Sequence, residues 1–365
     1  MHSLGTRLVL FALVLVGSLF ALNQPVTALA VDSPTVGWAL SPANGPLGND
    51  RPNYNYLTAP GAVITDGVVI QSRSSKPLTL RVYAADAYTT ADGLLDLQPA
   101  ASPAEDAGAW VSFGNPATVD TAASTVSPPS DWLGQTDVTI TLEPSTAVTV
   151  PLRWTVPSDA TAGDHSAGIV TSLVESAESS AAVQVDRRLA LRAYLNVDGQ
   201  ATAGITISNL QVQAEQPTNP LRSGTLKVTY SLHNSGSLRL VPTEYLETSG
   251  PAGLGKQVVA ADQVLPEILP GSTLVRTANV SGVIPLFRTT VKVSVSALAI
   301  GLGAEGESVS TAGSLTIWTV PWLWTGLLVL LVAAAVVWPF WRTRRTQKAK
   351  NTASDDKLLV SHPEA

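Results

Sequence analysis

The chain has 365 residues, 25 prolines, 27 glycines, no cysteine and only 14% charged residues. Absence of cysteine excludes a disulfide-stapled secreted module and removes thiol chemistry. Between Val31 and Thr316 there are 15 Lys+Arg against 25 Asp+Glu, a surface that repels polyanions and argues against a nucleic-acid partner.

In chain order, residues 1–30 read as a signal peptide. Arg7 precedes an uncharged apolar run from Leu8 to Leu22, and Ala28-Leu29-Ala30 supplies a small-x-small cleavage site. The next 286 residues, to Thr316, suit two domains better than one. Their apolar pattern has period two. Leu78, Leu80, Val82 and Ala84 alternate with Thr79, Arg81 and Tyr83, and Val148, Val150, Leu152, Trp154 and Val156 alternate with Thr149, Pro151, Arg153 and Thr155. Leu189, Leu191, Ala193 and Leu195 continue the pattern, as do Leu226, Val228, Tyr230 and Leu232, then Val291, Val293, Val295 and Ala297. One dry and one wet face per strand points to antiparallel sheets. Turn signals at Pro60-Gly61, Asp92-Gly93, Asn234-Ser235-Gly236 and Pro270-Gly271 punctuate them. The expected fold is all-β: two tandem immunoglobulin-like β-sandwiches, residues 31–200 and 201–310, followed by one transmembrane helix.

That helix is expected over Ile317–Trp341, which carries no charge. At ~1.5 Å per residue it would be about 37 Å long, enough for a hydrocarbon core of about 30 Å. Trp318, Trp322 and Trp324 cluster at one end, Trp338 and Trp341 at the other, as aromatic belts do. Arg342, Arg344, Arg345, Lys348 and Lys350 follow, marking a cytoplasmic side. The expected location is therefore the cell membrane, single-pass, with the body outside and a basic, unstructured tail over 342–365 inside.

Catalytic chemistry is sparse. His165-Ser166 superficially suggests a serine nucleophile, but neighbours on a strand point to opposite faces, and a turn entering the strand Ala167–Val174 accounts for the motif. Asp86, Asp92 and Asp96 lack the spacing of a calcium loop, and Thr90–Gly93 reads as a hairpin tip. No phosphate loop, metal spacing or paired carboxylates stand out, so neither an enzyme, a cofactor nor a metal is expected.

Candidate binding residues come from aromatic placement. Trp38, Tyr54 and Tyr56 lie in Asn-, Gly- and Pro-rich sequence with Arg51 nearby; Tyr83 shares a polar strand face with Arg81, and Asp86 follows. Exposed rings beside polar groups suit neutral sugars. The alternative is that Trp38, Tyr54 and Tyr56 plug the end of a sandwich.

Segments Trp38–Pro42, Arg51–Leu57, Pro60-Gly61, Pro77–Ala87 and Val156–His165 resemble the N-terminal peptidoglycan-binding domain of the WxL-interacting protein family, in the form found in actinobacteria. The resemblance implies signal, sandwich, second sandwich, membrane helix and basic tail, in a cell-surface protein whose first domain contacts peptidoglycan. In firmicute members the second domain is implicated in binding host proteins. Three functions follow: peptidoglycan binding through the first sandwich, an adhesin or scaffold holding a surface protein partner, and an exported carboxylate hydrolase.

Overall fold

The computed structural model describes residues 36–115, 117–118, 134–174, 187–215, 223–284, 286–303, 306–320 and 322–359. The expected signal peptide lies outside the described residues. The strands of the first half are β1 (Trp38–Pro42), β2 (Tyr54–Thr58), β3 (Val63–Ser72), β4 (Leu78–Thr89), β5 (Leu95–Leu97), β6 (Val111–Phe113), β7 (Ala117–Thr118), β8 (Asp137–Leu142), β9 (Ala147–Thr155), β10 (Gly163–Leu173) and β11 (Arg188–Val197). Those of the second half are β12 (Ile205–Glu215), β13 (Gly224–Asn234), β14 (Leu240–Ser249), β15 (Gln257–Val264), β16 (Thr273–Val283), β17 (Phe287–Ala299) and β18 (Ser308–Thr319). A single long helix, α1, spans Trp322–Leu359.

The first sandwich pairs a sheet of order β1-β3-β9-β6 with one of order β2-β11-β10-β4-β5; β7 joins β9 and β8 joins β4. All contacts within these sheets are antiparallel except β2 beside β11. Its core holds Val68, Ile70, Leu80, Val82, Phe113, Leu152, Trp154 and Leu195. The second sandwich packs β12-β13-β16 against β15-β14-β17-β18, around Leu226, Val228, Tyr230, Leu232, Val291, Val293 and Val295. The inward rows are those the period-two pattern marks. Rows on three strands depart from it. On β11, Leu189 of the expected dry row is exposed and Tyr194 of the opposite row is buried. Thr149 and Pro151 on β9 are buried, and so are Tyr83 and Ala85 on β4, where Leu97 packs over them.

The sandwiches are joined by 198–204 and hydrogen-bonded across their junction. The β4–β5 hairpin tip reaches the second sandwich: Val275 N donates to Ala91 O at 2.8 Å, Leu269 N to Thr89 Oγ1 at 3.0 Å, and Thr89 Oγ1 to Glu267 O at 3.1 Å. Asp164 accepts from Arg239 N at 2.8 Å and from Asn196 Nδ2 at 3.1 Å. The Arg239 guanidinium lies 3.9 Å from the Tyr194 ring centroid and bonds Glu267 at 3.2 Å.

Three expectations at the C-terminal end need correction. The second sandwich does not stop at residue 310, because β18 runs to Thr319. Ile317 and Trp318 are consequently strand residues, not the start of the helix, which begins at Trp322 after Pro321. Strand alternation continues through 308–319, where the ladder with β17 ends at the Phe287–Thr319 pair. Nor is the basic tail unstructured up to Leu359, where α1 ends; Ala, Lys, Arg and Gln favour helix. Within α1, Trp324–Trp341 has mean hydropathy 1.9. Among the described residues this is the one helix long and apolar enough to cross a membrane.

Candidate functional site

The seven residues expected to form a sugar-binding face separate into two groups. Trp38, Arg51, Tyr54 and Tyr56 form a clasp inside the first sandwich. The Trp38 indole donates to Thr171 Oγ1 on β10 at 2.7 Å. Tyr54 and Tyr56 do share one side of a short strand, but that side is the inner one. Both rings sit edge-on to Trp154, with centroids 5.1 and 5.3 Å away. Tyr54 OH donates to Gly67 O at 2.9 Å, and Tyr56 OH donates to the Asp66 carboxylate. Arg51 grips Asp66 through both terminal nitrogens, at 2.7 and 2.9 Å, and Ala43 O at 2.6 Å. Burial, then the Asp66 charge, holds both tyrosine hydroxyls protonated far above their ordinary range. These rings have no free face for a sugar, so the expected surface at Trp38, Tyr54 and Tyr56 is corrected to core. The reason is that β2 lies beside β11 and turns its aromatic row toward the opposite sheet.

Arg81 and Tyr83 on β4 line a groove, and Asp86 on the same strand holds the segment beside it. Segment 98–113 folds back over the outer face of β4. Asp86 clamps it by accepting from the backbone N–H groups of Glu105 (2.6 Å), Asp106 (2.9 Å) and Gly108 (2.7 Å). Gly108 is needed for the close approach: a Cβ there would lie 2.8 Å from the β4 backbone. The cavity left between them has a volume of about 320 Å³. Its walls include Tyr83, Pro99, Pro103 and Ala109, and the Arg81–Asp137 pair closes one side. Arg81 Nε donates to Asp137 at 2.7 Å, and the guanidinium lies 5.0 Å from the Tyr83 ring centroid. Both partners of the pair are over 40% exposed, so this ion pair adds little stability and is open to exchange partners. The Tyr83 ring is itself buried, which corrects its expected role as an exposed stacking platform. Its hydroxyl has no hydrogen-bond partner among the described residues.

Beside the groove, His165 Nδ1 meets Asp106 at 2.6 Å and Nε2 meets Thr161 O at 2.8 Å. Trp110 covers the ring at 4.7 Å between centroids. A backbone carbonyl only accepts, so Nε2 carries a hydrogen; a carboxylate favours one on Nδ1 as well. Burial disfavours the resulting imidazolium, but Asp106, Thr161 O and the charge of Asp164 outweigh it and raise the His165 pKa above 6.5. Neither ring nitrogen is left to activate Ser166. Asp106 was not identifiable from the sequence, being 59 residues away. No group of three or more His, Cys, Asp or Glu among the described residues is placed to hold a metal ion.

No family model and no curated protein matches the chain. Solved structures similar to it include pilus chaperones, alongside others such as a family 123 glycoside hydrolase from Clostridium perfringens and a PapD-like domain of human CEP192. The class 5 fimbriae chaperone CfaA is 10% identical, with TM-score 0.31, covering 78% of this chain and 100% of that one. The Pseudomonas aeruginosa CupB2 chaperone is 10% identical, with TM-score 0.26, covering 72% and 97%. The CsuC–CsuE chaperone–tip adhesion subunit pre-assembly complex of Acinetobacter baumannii gives 11% identity and TM-score 0.30, covering 76% and 97%. Likeness this distant carries no argument about partner or mechanism. The chain's own sheets are those of an immunoglobulin-like β-sandwich protein with one C-terminal apolar helix.

Proposed function

We propose that this is a membrane-anchored, non-enzymatic surface protein whose first sandwich holds a protein partner in the groove over β4. The observation that carries this reading is the lining of the groove. Pro99, Pro103, Ala109 and Val111 make apolar walls of short side chains, and the Arg81–Asp137 pair presents one charge of each sign at the edge. An extended polypeptide offers what such a groove takes: small apolar side chains and backbone polar groups. A glycan would need exposed ring faces, and the tyrosines expected to supply them are buried. The resemblance to the WxL-interacting family belongs to this proposal, with the partner moved from peptidoglycan to protein.

The test is a photo-crosslinking residue at Ser102, which lines the groove, in the full-length chain in its native membrane. A discrete protease-sensitive adduct, abolished by Ala109→Trp filling the groove, supports a protein partner. An adduct that resists protease and is released by a muramidase returns the function to peptidoglycan.

A further inference from the structure

We infer that the end of the second sandwich next to α1 docks on the bilayer surface that α1 enters, rather than standing off it on a flexible stalk. This rests on the reading of α1 as a membrane span. The connection is short: only Val320 and Pro321 separate β18 from α1. Three residue steps from Thr319 to Trp322 reach at most about 11 Å. Trp322 is a further ~3 Å of helical rise before Trp324, where the apolar window opens. The headgroup zone on one side of a bilayer is itself about 5–7 Å deep. The sandwich end therefore lies within reach of the headgroups, and a large side chain closes much of what remains.

The residues at that end suit such a surface. Phe287 and Arg288 on β17 pair with Thr319 and Trp318 on β18. Leu286 packs against the 250–255 segment, whose Gly250 lies against the Leu286 side chain. Together these segments present Leu254, Ile284, Phe287, Trp318 and Trp322, each at least 50% exposed. Monomer surfaces rarely gather so many large apolar side chains without an occupant. Trp318 has the Arg288 guanidinium 5.7 Å from its ring centroid, an aromatic beside a cation facing where lipid phosphates lie. Phe287 holds φ at +67°, a costly conformation for a bulky residue, yet its ring is not used to fill the core. Continuity with the membrane segment selects lipid over other apolar occupants.

The chain has no cysteine, so a single substitution accepts one environment-sensitive fluorophore. Full-length protein would be reconstituted in vesicles of phosphatidylcholine with phosphatidylglycerol and labelled at Leu254→Cys. Thr206→Cys at the opposite end of the sandwich and Val332→Cys in α1 serve as references. Docking predicts that aqueous iodide quenches the Leu254 probe several-fold less than the Thr206 probe, and that adding Ile284→Ser and Phe287→Ser abolishes the difference. Phe287→Gly should also weaken shielding while keeping or raising the melting temperature, since glycine accepts the positive φ. Equal quenching at Leu254 and Thr206 with a shielded Val332 probe would leave the span intact and overturn docking. An exposed Val332 probe would remove the span and the docking together. Shielding at Leu254 lost on diluting the protein in lipid would overturn docking in favour of a second copy of the chain.

Discussion

At Asp66 one carboxylate satisfies Arg51, Tyr56 OH and the Gly67 N–H. Its partners are closed inside the first sandwich, with the Arg51 side chain only 14% exposed. Removing one member of a buried pair leaves the other charge uncompensated, at a cost of about 3–5 kcal/mol. Asp66→Ala should therefore destabilise the first sandwich by that order in denaturant unfolding. Replacing Arg51 and Asp66 together by apolar residues should cost clearly less. His165 makes the opposite use of charge. Its folded pKa lies above the ordinary 6.5, so the folded state binds its proton more tightly than the unfolded chain. The stabilisation is fully present below about pH 6.5 and is lost as pH rises through the folded value. The melting temperature should fall over that upward window in the wild type. It should lose this component in His165→Gln, whose side chain does not titrate; a flat wild-type profile would remove the ion pair with Asp106.

The elements are coupled where backbone approaches backbone. β10 begins at Gly163, which has φ +125° and lies against the β13–β14 turn; a Cβ there would be 2.3 Å from Ser237 O. The neighbouring Asp164 N donates to that same oxygen at 2.7 Å. Gly163→Ala therefore brings both strain and a clash at the junction between the sandwiches, and should cost more than about 1 kcal/mol. Calorimetry should show the two sandwiches melting in one transition in the wild type and separately in the variant. An unchanged single transition would mean that the close approach at Gly163 is not what couples them. The β4–β5 hairpin has a related dual role: its tip contacts the second sandwich, while the segment after it roofs the groove.

At the scale of the whole molecule, α1 and the basic run after Trp341 determine how the body is presented. On the proposed reading of α1 as a membrane span, an uncharged Ile317–Trp341 followed by five positive charges in Arg342–Lys350 would orient the chain with its C-terminus in the cytoplasm. Protease added to intact cells should therefore digest the sandwiches and leave a C-terminal epitope tag protected. Loss of the tag under the same conditions would reverse the orientation. With this orientation, the groove on the first sandwich would be the part offered to other surface molecules. On the docking proposed above, the second sandwich would be the part held next to the lipid.

The strands and their inward rows were legible in the sequence because alternation is local: each residue's face follows from its neighbour's. The apolar character of 324–341 was legible for the same reason, since an uncharged, predominantly apolar run needs no partner to be recognised. Trp154 as core, the hairpin tip at Thr90–Gly93 and the β-sandwich class all come from patterns of this kind. Which face of a short strand becomes interior is not local. Tyr54 and Tyr56 became core, and Tyr83 was covered by Leu97, because of where β2 and β5 lie in the assembled sheets. The pairings that build the site span larger distances along the chain. Arg51 meets Asp66 across 15 residues, Asp106 meets His165 across 59, and Asp164 meets Arg239 across 75. Sheet order brings them together, and period-two alternation says nothing about sheet order. Only the tertiary structure decided that the expected aromatic face is a buried clasp and that the open surface is a groove over β4.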